Sequence, residues 1–195
     1  MSLRELTKEA HKRAENHEFA KILFSGDINK KLYAIYLHNQ YSMYSILEMW
    51  ASNQGILQGL PDIRRSEKIL DDFNELSDES NPHNAPLAPT TIDYINHIFS
   101  IKGNPKKLMA HVYVRHMGDL AGGQMIKPKV PGKGTYYNFK MKMFLREAIR
   151  SRLENDMVDE AIVCFDFARS FFEDMMKIAY KSYLLDGYHT KQLRK

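Results

Sequence analysis

The sequence predicts a single all-α domain. Three observations carry that prediction. Apolar residues recur at helical spacing along most of the chain, no run alternates with the period of two that a half-buried strand needs, and prolines and glycines punctuate the helical runs. A chain of 195 residues fits one domain and is long enough to bury about 70% of its unfolded surface. No internal repeat is visible. Residues 1–195 read as one unit, with 186–195 as a flexible tail.

A first helix is expected from Ser2, an N-cap that Glu5 completes as a capping box, to Ala14 or Glu15. A short one covers Glu18 to Leu23 before the Gly26-Asp27 break. Lys30 to about Gln54 places Leu32, Ile35, Tyr36, Gln40, Met43, Tyr44, Leu47 and Trp50 at helical spacing, a long amphipathic element that Gly59-Leu60-Pro61 ends. Asp62 to Asn74 is the next helix, and Ser77 to Pro89 a loop punctuated by Pro82, Pro86 and Pro89. Thr90 or Thr91 is expected to cap a helix through Ile101, and Gly103-Asn104-Pro105 to start a long one from Pro105 to Ile126. Lys127 to Gly134 reads as an exposed turn. Phe139 to about Glu154 and Met157 to about Leu185 complete the chain, the last with Ile162, Phe165, Ala168, Phe172, Met175 and Ala179 on one face.

A net charge of +4 with a pI near 9.0 favours anionic partners, but acidic residues alternate with basic ones almost everywhere, so no nucleic-acid surface is indicated. Cys164 is the only cysteine; the chain can form no internal disulfide and no cysteine metal cluster, which suits a reducing compartment. Neither a signal-like N-terminus nor an apolar run of about 20 residues is present, so the expectation is a soluble, cytoplasmic protein. No long exposed apolar seam argues for more than a monomer. Glu-x-x-His pairs of di-iron bundles, phosphate loops, dinucleotide fingerprints and nucleophile elbows are all missing.

The unusual stretch is Tyr113-Val114-Arg115-His116-Met117-Gly118-Asp119-Leu120-Ala121-Gly122-Gly123-Gln124. Three glycines inside a helix cost about 3 kcal/mol relative to alanine. Gly118 and Gly122 share a face, with Asp119 and Gly123 in the adjacent row. A backbone stripped of Cβ atoms makes a flat, bendable strip suited to a planar ligand; the alternative is that Gly122-Gly123 only ends the helix.

Among the histidines, His11 lies one helical turn before Glu15, the arrangement of a metal ligand with a carboxylate on its second ring nitrogen; a surface pair has the same spacing. His116 sits inside the glycine strip, where packing is the alternative, while His17, His38, His83, His97, His111 and His189 carry less signal. Arg146 and Arg150 share a face with Lys142, either a solvated cationic face or a clamp for paired carboxylates.

Taken together these segments resemble the biliverdin-forming haem oxygenases. Leu6-Thr7-Lys8-Glu9-Ala10-His11-Lys12-Arg13-Ala14-Glu15-Asn16 is similar to the family's proximal-helix signature, and the glycine strip to its distal-helix signature with the Gly-Asp-Leu-Ala-Gly-Gly-Gln core. Tyr41, Tyr44, Leu47 and Glu48 match a tyrosine-rich third segment, Arg146, Arg150, Ser151 and Arg152 a propionate-binding helix, and Phe165 and Phe172 aromatic positions of the last pocket helix. The resemblance runs to about residue 185. Departures are Ala121 for the commoner serine, His116 for an aromatic, Val114 for a threonine, and Arg4 for a lysine.

The resemblance implies a multi-helix fold that holds haem b between the first, proximal helix and a kinked, glycine-rich distal helix. His11 is then the iron ligand and Glu15 its orienting partner. Asp119 would anchor ordered water that delivers a proton, with Gly118, Gly122 and Gly123 letting the backbone approach the ring. Arg4, Tyr113, Arg115, Arg146 and Arg150 would contact the cofactor, chiefly its propionates, with Phe165 and Phe172 against the ring. The implied reaction yields biliverdin, carbon monoxide and ferrous iron by cleavage at the α-meso carbon, using O2 and external electrons from a donor such as ferredoxin. The polar C-terminal residues resemble the soluble forms of bacteria, photosynthetic microbes or their viruses rather than the anchored animal enzymes, so a form without a hydrophobic anchor is expected. Two other classes remain: a haem carrier using the same His11, and a thiaminase-like helical enzyme, which needs a nucleophilic cysteine where Cys164 reads as core.

Overall fold

The chain folds around one long helix. In a computed structural model, which describes residues 2–77 and 85–185, helix α4 (Lys30–Asn53) is buried on every side from Leu32 to Leu37 and, in its second half, buries Met43, Tyr44, Leu47, Glu48 and Ala51 while Tyr41, Ser45, Met49 and Ser52 form a less buried stripe. Other helices surround the first half, and only the second half is amphipathic. Around it stand α1 (Leu3–Leu6), α2 (Lys8–Glu15), α3 (Glu18–Ser25), α5 (Ser66–Leu76), α6 (Pro89–Ile101), α7 (Pro105–Ala121), α8 (Gly123–Ile126), α9 (Lys142–Arg150) and α10 (Val158–Leu185), with short 3-10 turns at Lys127–Lys129, Thr135–Tyr137 and Asn155–Met157. No strand occurs among the described residues, and their buried apolar side chains form one cluster. The expected tail 186–195, His83, His189 and residues 78–84 of the expected loop lie outside the described residues.

α4 packs against α5, α6 and α7, and α10 runs past α7, α6, α2 and α3. α10 is therefore a floor joining the N-terminal helices to the glycine-bearing α7.

Boundaries move where buried side chains cap helix ends. The capping box at Ser2 and Glu5 forms as expected, but Thr7 divides the first helix into α1 and α2, its hydroxyl donating to the Leu3 carbonyl across 2.9 Å. α5 begins at Ser66 rather than Asp62. Asp62 is left-handed (φ +58), its carboxylate accepts the Lys140 N–H, and the N-terminal N–H groups of Arg65 and Ser66 donate to Glu48 of α4. α6 starts at Pro89, and Thr90, expected as a cap, instead donates both N–H and hydroxyl to Asp174 of α10. The helix expected from Phe139 to Glu154 is confined to Lys142–Arg150.

Candidate active site

On the proximal side, Ala10 and Ala14 are the buried residues of α2, so helical geometry turns His11 outward. Its Nδ1 lies 3.6 Å from Glu15 Oε2, and the ring stands edge-on to Phe165 of α10 at 5.5 Å between centroids. With Nδ1 turned to Glu15, Nε2 across the ring is the nitrogen left for a ligand. The side chain is 58% exposed, so this imidazole is presented rather than packed away. An ion pair of Arg13 with Asp166 at 3.8 Å further ties α2 to α10.

On the distal side, the three glycines divide into two roles. A Cβ on Gly118 would meet no atom within 4 Å, which marks an open helix face. One on Gly122 would press on the Gly118 carbonyl at 3.3 Å and stand 3.8 Å from Phe24 of α3. Gly123 corrects the expectation of a single flat strip. It is buried, and a Cβ there would overlap the Tyr137 ring, so its lack of a side chain serves packing against Tyr137 rather than a ligand.

Gly122 also interrupts the helix expected to run unbroken to Ile126: it ends α7 and starts α8 without entering the left-handed region. A helix end leaves carbonyls without intrahelical donors. Two side chains supply donors here: Gln124 Nε2 lies 3.4 Å from the Asp119 carbonyl and 2.9 Å from that of Tyr137, and Arg146 Nη2 donates to the Leu120 carbonyl. The interruption at Gly122 is thus bridged by hydrogen bonds.

Asp119 projects into the interior beside the open face. Tyr44 donates to its Oδ2 across 2.5 Å and Tyr136 to its Oδ1 across 3.0 Å. Burial raises its pKa to about 6, against the opposing pull of the Tyr44 hydrogen bond, the His116 ring, the Tyr136 hydrogen bond and the Arg65 charge. Burial likewise holds the Tyr44 and Tyr136 phenols well above their ordinary value, so both remain donors.

Tyr136 is the functional candidate that sequence reasoning missed. Asp72 of α5 fixes it by accepting its N–H at 2.8 Å and that of Thr135 at 2.8 Å. The only sequence signal is a Tyr136-Tyr137 pair after a glycine-rich turn. His116 is buried and hydrogen-bonds Glu48 Oε1 at 3.1 Å and the Val112 carbonyl at 3.1 Å, which is packing support for α7.

The expected carboxylate clamp is redistributed. Burial raises the Tyr113 phenol against the pull of the Thr7 hydroxyl and of the Arg4 and Arg150 charges, so a cation of α1 and one of α9 act on this phenol of α7. Arg146 is committed at least in part to the Leu120 carbonyl. Arg115, expected to contact a cofactor, points inward: its guanidinium lies 4.1 Å from the Tyr94 ring centroid and 5.5 Å from that of Tyr44, and donates to Gln40 Oε1. Phe172 faces His17 and Phe19 at 5.7 Å each, one helix beyond His11, while Phe165 alone of the two meets His11. Cys164 is buried, with burial pushing its thiol up to about 12, which disqualifies it as a nucleophile.

These features fit a planar iron macrocycle with carboxylate side chains: one presented imidazole, one helix face without Cβ atoms, and cations at one edge. The family model described as Heme oxygenase matches residues 1–174. Heme oxygenase 2 of Rattus norvegicus is 29% identical over 201 residues, covering 89% of this chain and 64% of that protein, so the chain spans just under two thirds of that relative. The heme oxygenase of Rhodella violacea is 29% identical over 206 residues, covering 90% of this chain and 86% of that protein. Heme oxygenase-1 from Synechocystis, solved in complex with heme, shares the fold with a TM-score of 0.80 at 22% identity, covering 95% of this chain and 96% of that one. The heme oxygenase of Leptospira interrogans superposes with a TM-score of 0.77 at 29% identity, covering 88% of this chain and 98% of that one.

Proposed function

The chain belongs to the heme oxygenase family, and we propose on that premise that it binds haem b as substrate and cleaves the macrocycle to biliverdin, carbon monoxide and ferrous iron. The observation that carries this reading is the His11–Glu15 pair at 3.6 Å with His11 presented to solvent. Haem, when bound, supplies the iron at which O2 is activated and the ring edge that is cut.

His11 Nε2 is the iron ligand in this proposal, and Glu15 holds the ring through Nδ1 and raises its basicity. Gly118 leaves room for the macrocycle to lie against the α7 backbone. Arg4, Tyr113 and Arg150 take the propionates and so set ring rotation, which selects the meso edge; we assign the α edge. Arg146 joins them only by leaving the Leu120 carbonyl. Asp119, with a pKa near 6 and two phenolic donors, orders water at the distal face and exchanges a proton with it near neutral pH. Arg115 acts beneath it as a positioning residue against Tyr44.

Electrons come from a separate donor. A basic chain suits an acidic one-electron protein such as ferredoxin, in the cytoplasm and with the enzyme as a monomer. Among the described residues no helix is long and apolar enough to cross a membrane.

The test is an optical titration of the purified protein with hemin, then reductant in air. A one-to-one Soret complex that His11→Ala weakens, and that converts to a biliverdin spectrum, is the expected result. A complex that keeps its Soret band with a competent donor means a carrier, and no complex overturns the proposal. If turnover with reduced ferredoxin is insensitive to ionic strength, the electrostatic docking argument fails.

A further inference from the structure

We propose a second metal site, for a divalent ion of the zinc type, formed by His97 of α6, His111 of α7 and Glu160 of α10. It shares no residue with the haem site. Both imidazoles aim Nε2 at one oxygen: Glu160 Oε1 lies 2.5 Å from His97 Nε2 and 3.0 Å from His111 Nε2. The three donor atoms lie within 4.8 Å of one another. Tetrahedral zinc with ligands at about 2.0–2.2 Å needs donors about 3.3 Å apart, so the two short sides open by a fraction of an ångström and the side between the imidazoles settles to the same spacing.

The surroundings are those of a ligand set. His111 is fully buried, and its Nδ1 lies 3.1 Å from the Tyr94 hydroxyl, the outer hydrogen bond that a ligating imidazole requires. As a ligand each ring offers the Nε2 lone pair and carries its proton on Nδ1, which in His111 faces the Tyr94 hydroxyl. Glu160 Oε1 becomes the third ligand, while Oε2 stays with the Lys107 ammonium at 3.1 Å. The Phe167 ring stands 5.2 Å from His97 and 5.4 Å from Tyr94, giving the site an apolar wall. The His97 side chain is 23% exposed, so the cluster opens to solvent on that side, from which an ion and a water as fourth ligand would enter. Two nitrogens with one carboxylate oxygen suit zinc or cobalt over magnesium or calcium, which prefer all-oxygen shells.

An ion here would join three helices at the N-terminal half of α7, the helix whose C-terminal half carries Gly118 and Asp119. The experiment is titration of the purified chain with Zn2+ by calorimetry, and with Co2+ read by its visible ligand-field bands. One ion per chain, intense tetrahedral cobalt bands and a raised Tm are expected. His97→Gln, a substitution at a partly exposed position, should keep the metal-free Tm and lose the ion. His11→Ala should retain it, which separates this site from the haem ligand whatever the outcome of the hemin titration. Binding of less than one ion by the wild type, or equal binding by His97→Gln, overturns the proposal.

Discussion

Tyr44 reaches from α4 across 2.5 Å to give its hydroxyl hydrogen bond to Asp119 Oδ2 on α7, and Tyr136 supplies the other oxygen from the far side at 3.0 Å. The carboxylate is therefore held between two elements that are distant in sequence, in surroundings that burial makes unfavourable for its charge. Its chemistry follows from that balance.

Asp119 should make stability depend on pH in a direction opposite to most carboxylates. Folded, it keeps its proton to about pH 6; unfolded, it loses it near the ordinary value of 3.8. Between those values the folded chain binds more protons than the unfolded one, so stability is lost as pH rises through the window. Asp119→Asn removes the dependence. Urea unfolding at pH 4 and pH 7 should show the variant gaining about 2–3 kcal/mol on the wild type between the two. Parallel wild-type and variant curves would contradict the buried assignment.

The glycines of the distal strip should separate in a mutational test. Gly118→Ala adds a methyl group to open space, so it should stabilise the fold by up to about 1 kcal/mol while weakening hemin binding. Gly123→Ala drives a methyl into the Tyr137 ring and should destabilise by about 1–3 kcal/mol. Thermal melts of both variants without hemin, followed by hemin titration, distinguish the two roles.

Glu48 holds four partners at once: the N–H of Arg65, the N–H and hydroxyl of Ser66, and His116. Burial raises its pKa, yet the hydrogen bonds from His116, Ser66 and Arg65 outweigh that and hold it below the usual value. Removing such a buried, paired carboxylate costs about 3–5 kcal/mol, the loss expected for Glu48→Ala in denaturant unfolding. A change under about 1 kcal/mol would mean that α5 does not depend on this cap.

Glu15→Ala tests the orienting role proposed for that residue. Loss of a partner on the second ring nitrogen typically lowers metal affinity about 10–100-fold, so the hemin dissociation constant should rise in that range while the apoprotein Tm stays unchanged. Glu15 is exposed, so a large fall in Tm would instead indicate a structural role for the pair.

Much of the site was legible because its residues follow one another in sequence. His11 and Glu15 are one helical turn apart, and Gly118, Asp119 and Gly122 lie within five positions, so local geometry alone places them together. Tyr136 was not legible, because it reaches Asp119 only through the packing of α5, whose Asp72 fixes its backbone. The same limit misdirected Arg115 and Arg146. From the sequence both are cations near a glycine strip, but one turns inward onto Tyr94 and the other donates to the Leu120 carbonyl at the end of α7.

Helical periodicity and glycine placement are local properties, so the all-helical class, the order of the main helices and the two helices that carry the candidate residues, one with His11 and one with the glycines, were readable from the sequence alone. Tertiary structure alone decided which glycine faces open space and which faces Tyr137, and which cations stay at the edge. It also decided that Asp119 sits near neutrality. Those are properties of contacts between helices, and burial and shared hydrogen bonds have no counterpart in residue spacing.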